Sequence, residues 1–346
     1  MGTATIRDVA KQARVSLKTV SRVINHEKSV RAETRDRVLR AIDALDYRPD
    51  LSARSLRSAK AYAIGLVYDN PNPYYIIAMQ KGALAACREM GFGLQIHPCN
   101  SRAPKLADEL RDLVHRSRLA GLVLAPPMSE RVALLRELAA YDIPVVRVIS
   151  AADDPRDGFP CVFVDDRDAA YAITSYLIQL GHVRIGFLWG GKRHRSSPER
   201  YKGYEKALQD YGVPLADELI LEGDYSFDDG FRGARKLLGL AKPPTAIFGS
   251  NDEIAAGVLA AARAGGLHVP YDLSVAGFED SPFSRHSWPS LTTSRQRTEL
   301  IAEHAMRLLI ARIHGGDVDN EGFSPELVVR GSTAPPRPTS GRHADG

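Results

Sequence analysis

The sequence predicts an α/β protein in two parts: a small all-helical head at the N-terminus, and a larger body of two lobes built on doubly wound parallel sheets. Three observations predict it. Two short amphipathic stretches with a tight turn between them fill residues 5–25. Beyond residue 60, short β-rich runs alternate with stretches of helical spacing. The charge is uneven, since residues 1–60 carry 14 Lys and Arg against 7 Asp and Glu, whereas the 346-residue chain as a whole is only +4. A basic head on a slightly acidic body is the footprint of a protein that meets phosphate at one end.

In the first stretch Ile6, Val9, Ala10 and Ala13 recur at helical spacing, and in the second Val20, Val23 and Ile24 do the same. Each helix therefore has one narrow apolar face, which can be buried only against the other. Val15 plugs the corner, and Ser16 stands where an N-cap oxygen satisfies the free N–H groups of the second helix. Leu17, Lys18, Thr19, Ser21, Arg22 and Asn25 are left outward, a polar face suited to a major groove. Val38, Ala41, Ile42 and Leu45, following Glu33, predict a third helix that closes a mini-core of roughly fifty residues, small and marginal alone. Pro49 then interrupts any helix. Residues 51–58 hold helix formers over only about two turns, too few to stand unsupported, and read as a linker that folds when something orders it.

The string from Asp8 to Asn25 (DVAKQARVSLKTVSRVIN), Tyr47-Arg48-Pro49-Asp50 and Ala53-Arg54-Ser55-Leu56 together resemble the LacI/GalR family of bacterial transcriptional regulators. The resemblance implies that Leu17, Lys18 and Arg22 read base edges, while Thr5, Ser16, Thr19, Ser21, Asn25 and Thr34 contact phosphates. It implies that residues 50–58 become a hinge helix on operator DNA, with Ala53, Arg54 and Leu56 at the minor groove and Leu56 from two subunits wedged into a central step, in keeping with apolar wedging elsewhere. One departure is Arg14 at the turn, where many relatives have glycine; a positive φ there carries a penalty of about 1 kcal/mol.

In the body, β-rich runs recur at 63–68, 93–97, 121–125, 145–149, 161–164, 184–189, 246–249 and 274–278. Helical spacing between them predicts parallel sheets covered by helices, with strands buried on both faces. Ligands of such sheets bind beyond the carboxyl ends of the strands. The loops there are rich in carboxylates, amides, arginine and aromatic rings: 69–75, 196–200, Asp224-Tyr225, 250–253, Glu279-Asp280 and Arg295-Gln296. Such a set suits a small polyhydroxylated molecule, whose hydroxyls need polar partners and whose C–H faces need an apolar plate. A sugar or glycoside is the expected ligand.

The resemblance extends over the body, more loosely, to about residue 330. It implies a periplasmic-binding-protein-like core with an effector between the lobes, lined by Tyr74, Ser196, Arg200, Tyr225, Asn251, Glu279 and Gln296. Glu279 stands where a shorter aspartate is common, and Ile149 where many relatives carry a polar contact. The organisation expected is a head over 1–48, a hinge helix and linker over 49–62, a core over 63–330, and a disordered tail over 331–346. One lobe takes 63–164 with about 295–322, the other 165–294 with about 323–330. Arg147 puts a charge in an apolar strand, and buried charges demand partners. It either reaches the cleft or pairs with a structural carboxylate.

Enzymatic alternatives find little support. Gly186 to Lys192 matches a P-loop in its glycines and lysine, but Arg193 stands where a Ser or Thr hydroxyl must meet magnesium. No metal-ligand spacing occurs among the cysteines or histidines. Three cysteines (Cys87, Cys99, Cys161), no secretory apolar segment and no apolar run of membrane length predict free thiols in a cytoplasmic protein without membrane attachment. The expected function is a repressor of carbohydrate-utilisation genes that binds a palindromic operator as a homodimer and is released by a sugar effector, with no cofactor or metal. The alternatives are a corepressor-dependent regulator binding a purine or sugar phosphate, and a sugar-binding or sugar-modifying protein tethered to DNA.

Overall fold

The computed structural model describes residues 4–24, 30–45, 47, 62–70, 72–150, 158–191 and 194–337. The chain divides into two compact units, Met1–Tyr62 and Ala63–Gly346. Asn25 and the hinge residues Ala53, Arg54 and Leu56 lie outside the described residues, as does the chain beyond 337.

In the first unit, α1 (Ile6–Ala13), α2 (Leu17–Ile24) and α3 (Ala32–Ala44) enclose the predicted mini-core. Val9, Val20 and Val38 are its fully buried centre, joined by Ala10, Ala13, Val23 and Ala41, with Val15, Ile42 and Leu45 packed on it. Ser16 caps α2: its Oγ accepts the Thr19 N–H at 3.1 Å. Arg14 closes α1 in the left-handed region at φ 53°, so the turn does require the strained backbone that glycine would adopt freely.

In the second unit, the first lobe is a six-stranded, all-parallel sheet. Its strands are β1 (Ala63–Tyr68), β2 (Gly93–Pro98), β3 (Leu119–Leu124), β4 (Val145–Ser150), β5 (Cys161–Val164) and, from near the C-terminus, β11 (Glu321–Phe323), in the order β11-β5-β4-β3-β1-β2. Central strands are almost wholly apolar because both faces are covered. One face takes α4 (Pro73–Met90) and α12 (Thr298–Ile313), the other α5 (Leu106–Ser117) and α6 (Val132–Ala140). The edge strand β2 is half-exposed and accordingly mixed in composition.

The second lobe repeats the plan. Its sheet, also parallel, runs β7-β6-β8-β9, from β6 (Ile185–Leu188), β7 (Ile220–Leu221), β8 (Ala246–Gly249) and β9 (Ser274–Ala276). α7 (Asp166–Gln179) and α8 (Ser196–Asp210) cover one face, α9 (Phe227–Leu238) and α10 (Asp252–Ala264) the other, and the short α11 (Pro282–His286) follows β9. The chain crosses between lobes after β5, between β10 (Thr293–Arg295) and α12, and between β11 and β12 (Glu326–Val328), the last pairing antiparallel with β10. Strands β7, β10, β11 and β12 are only two or three residues long, too short for any periodicity to announce them.

One expectation is overturned. Residues 331–337 are not a disordered tail but part of the second lobe. Ser332 and Thr333 are buried; the Val275 N–H donates to the Ser332 carbonyl at 2.8 Å, and the Ala334 N–H to Ser274 Oγ at 3.0 Å. Composition alone misleads there because small polar residues satisfy a sheet edge as readily as they make a coil.

Gly203 sets how closely α8 approaches α7: a Cβ on it would stand 2.1 Å from the Arg167 carbonyl oxygen and 2.8 Å from the Tyr171 nitrogen. Both obstacles are backbone, so neither can yield cheaply. Gly203→Ala is expected to destabilise the body by about 1–3 kcal/mol through overpacking, read as a lowered melting temperature with a wild-type profile for the head. An unchanged melt would mean that α7 and α8 are not in backbone contact.

Candidate functional site

Two sites follow from the two units. On the head, Leu17 is 45 % exposed, and Lys18, the next residue of α2, is exposed beside it. An exposed leucine beside a lysine at the start of a helix gives an apolar contact for a thymine methyl and a donor for a base edge. Arg22 and Ser21 are half-buried on the same helix, and Thr34 is half-buried on α3. Three of the candidate hydroxyls have internal partners: Thr5 donates both its N–H and its Oγ1 to Asp8, at 2.8 and 2.7 Å, and Thr19 Oγ1 and Ser16 Oγ lie 2.9 Å apart.

In the body the carboxyl ends of both sheets face one cleft. It is lined by Ser196, Arg200, Tyr225, Asn251, Glu279 and Gln296, six of the seven residues that sequence reasoning picks out. The space between them is about 40 Å³. Each is placed by an identifiable element. α8 starts at Ser196 and carries Arg200 one turn later. Asn251 caps α10, its Oδ1 accepting the Ile254 N–H at 2.9 Å. Glu279 follows β9 with φ 111°, a backbone outlier of the kind that collects at functional sites.

Tyr74 is the exception. It is 37 % exposed and lines an adjoining groove that shares Tyr75, Glu279 and Gln296 with the cleft. α4 starts at Pro73, capped by Asn72, which accepts the N–H groups of Tyr74 and Tyr75; that register turns Tyr75 into the cleft instead. Arg147 does not line the cleft either. It is 4 % exposed and donates to the Phe159 carbonyl at 3.2 Å.

Sequence reasoning picks out the 69–75 loop but not Asn70, Asn72 and Tyr75 within it as cleft residues, and it misses Ser150, Asp166 and His194; all six line the cleft. Asp166 is the important one. It is 2 % exposed, accepts from the Ser150 hydroxyl and forms a 2.7 Å ion pair with Arg200. Arg200 in turn donates to the Ser250 carbonyl and stacks 3.7 Å above the Phe278 ring. Burial pushes the Asp166 carboxyl up, with Arg200 and Ser150 opposing. Burial also works against the charge on Arg200, but Asp166, Tyr225 and Glu279 outweigh it and hold the guanidinium protonated. Hydrogen bonds among the described residues join the lobes across the cleft: besides the Ser150 hydroxyl on Asp166, Asn72 Nδ2 donates to Glu279 Oε2 at 2.6 Å, and the Arg195 N–H to Glu130 Oε2 at 3.1 Å.

Burial pushes the Glu279 carboxyl up to about 8, against the pull of Arg200 and the bond from Asn72, and Asp252 up to about 7, against bonds from Thr293 and Ser281. Both keep a proton in the fold that the unfolded chain gives up near the ordinary carboxyl range. The stability they contribute is full below that range and is lost as pH rises through about 7 and then about 8. The melting temperature of the body is therefore expected to fall from the ordinary carboxyl range up to about pH 8 and to level off above it, and Glu279→Gln to flatten the fall. A rise across that window would contradict it.

Residues 5–50 match the model for bacterial regulatory proteins, lacI family, and residues 174–333 the periplasmic binding protein-like domain. The chain is 32 % identical over 317 residues to catabolite control protein A of Priestia megaterium, covering 91 % of this chain and 94 % of that protein. It is 33 % identical over 332 residues to the HTH-type transcriptional repressor PurR of Mannheimia succiniciproducens, covering 95 % and 98 %. This chain belongs to the lacI family. Among solved structures it resembles the lac repressor dimer bound to operator and the anti-inducer ONPF, with TM-score 0.76, 26 % identity and coverage of 96 % and 100 %. It also resembles a complex of the transcriptional regulator CelR with cellobiose, with TM-score 0.72, 28 % identity and coverage of 95 % and 99 %. As a lacI-family protein the chain is a DNA-binding transcriptional regulator, not an enzyme. Among the described residues no helix is long and apolar enough to cross a membrane.

Proposed function

We propose that this regulator is a repressor of carbohydrate-utilisation genes that binds a palindromic operator as a homodimer and is released by a neutral sugar or glycoside in the cleft. Leu17, Lys18 and Arg22 read bases; Thr5, Ser16, Thr19, Ser21, Asn25 and Thr34 hold phosphates, with Thr5 and Thr19 exchanging their internal partners for DNA. Residues 50–58, with Ala53, Arg54 and Leu56 at the minor groove, form the hinge.

The observation that carries the sugar reading is the charge of the cleft. Its lining combines amides, hydroxyls and two carboxyls, and among the described lining residues the one arginine or lysine, Arg200, is already neutralised by Asp166. An anionic sugar phosphate would find no uncommitted arginine or lysine among the described lining residues to receive it. A neutral polyol meets what it needs, since amides and carboxyls both give and take hydrogen bonds, and Tyr75 and Tyr225 offer apolar faces. The coupling is steric. A space of about 40 Å³ admits a few waters, so a sugar enters by parting the lobes. That strains the Asn72–Glu279 and Glu130–Arg195 bonds and moves the point where the hinge enters at β1.

Thermal melting against neutral mono- and disaccharides, glycosides, sugar phosphates and purines tests this. A ligand at 100 times its Kd stabilises by about 2.7 kcal/mol. A shift with one neutral sugar class is expected, whereas a shift confined to phosphates or purines would replace the sugar reading with a corepressor.

A further inference from the structure

Arg7, Lys11 and Arg14 succeed one another at intervals of four and three residues along α1 and its C-cap, which places them on one face of the helix. All three are exposed. Together with Val15, Ser16 and Leu17 they line one shallow concavity on the head, and no carboxylate lines it. Among the described residues none of the three has an ion-pair partner within 4 Å; Asp8, whose field Lys11 does feel, is bound to Thr5.

Two features of this stripe act against the isolated head. Like charges four residues apart repel along a helix. Arg14 also occupies the left-handed region at φ 53°, ψ 51°, where any residue with a Cβ is strained and glycine is the usual helix stop.

The geometry points to a backbone-phosphate clamp in which Arg7, Lys11 and Arg14 neutralise phosphates of the strand bordering the groove that α2 enters. The inference rests on the DNA-binding reading and extends it to the three cations of α1 and its C-cap. In helix-turn-helix docking the second helix presents its N-terminal residues to the bases while the first crosses the backbone. Ser16 and Leu17, at the N-terminal end of α2, share their concavity with the three cations, so a duplex that meets Leu17 brings its phosphates to them. Closely spaced phosphodiesters are the ligand class that satisfies three neighbouring cations at once. Such contacts set affinity and register, not sequence preference.

The test uses the full chain and a duplex that it enriches from a random-sequence pool. Arg14→Gly removes the charge and relieves the backbone strain, so the two readouts move in opposite directions. Affinity for the duplex should fall, and the plot of log affinity against log salt should become shallower by about 0.9 for each phosphate no longer neutralised. Amide-exchange protection of α1 and α2 should hold or rise. Arg7→Gln and Lys11→Gln should shift the salt slope in the same direction, with base preferences retained. Arg40→Gln, an equal charge change on the exposed side of α3, should leave the slope in place. An unchanged slope in Arg14→Gly overturns the clamp while wild-type binding still stands, and an equal drop in Arg40→Gln overturns it in favour of a diffuse field. If the wild-type chain enriches no duplex at all, the clamp and the DNA-binding reading fall together.

Discussion

Arg200→Met is expected to destabilise the body by about 3–5 kcal/mol, because it leaves the Asp166 carboxylate buried without its counter-ion. The two side chains are 3 % and 2 % exposed and 2.7 Å apart, and among the described residues Asp166 has only the Ser150 hydroxyl to fall back on. The same change removes the group that ties α8 to the Ser250 carbonyl at the end of β8, so the response of operator binding to sugar should vanish. Stability and response separate in a double variant. Asp166→Leu with Arg200→Met replaces the pair by apolar groups, which is often close to neutral, and should recover most of the stability but none of the response. Denaturant unfolding and operator titrations in the presence of sugar check both. A single variant as stable as the wild type would mean that Asp166 is not held by Arg200.

Arg22→Ala is expected to weaken operator binding by about 1–3 kcal/mol and to relax base preference at one position of each half-site. The body's sugar affinity, measured without DNA, should stay at the wild-type value, since Arg22 belongs to the separate N-terminal unit. Competition binding against a set of single-base operator variants reads both effects. Wild-type affinity and preference in this variant would show that α2 does not enter the groove by this face.

The head was the most legible part of the chain. Its three helices each carry a narrow apolar stripe, and a core that small leaves no choice about which faces meet; Val9, Val20 and Val38 could be buried only together. The long strands were legible for a related reason: β1, β3 and β4 are covered on both faces and so are nearly unbroken apolar runs. The very short strands, and the packing of 331–337 on the second lobe, depend on partners remote in sequence. In the cleft, the rule that ligands lie beyond strand ends found the loops but not always the residue. Asp165 and Asp166 both follow β5. One caps α7 through the Asp168 N–H at 3.2 Å and the other turns inward to Arg200; a one-residue difference in helix register decides, and no sequence pattern displays it. The same holds for Tyr74 and Tyr75, where Asn72 fixes the start of α4.

On the proposed function, the cleft and the head are energetically coupled. The most direct test is a reciprocal titration with the sugar that the melting screen selects: operator affinity with the sugar absent and saturating, and sugar affinity with operator absent and saturating. Sugar is expected to weaken operator binding by a factor between about 5 and about 150, a coupling of about 1–3 kcal/mol, and operator to weaken sugar binding by the same factor. Sugar binding that leaves operator affinity unchanged would contradict it, and so would sugar that tightens operator binding.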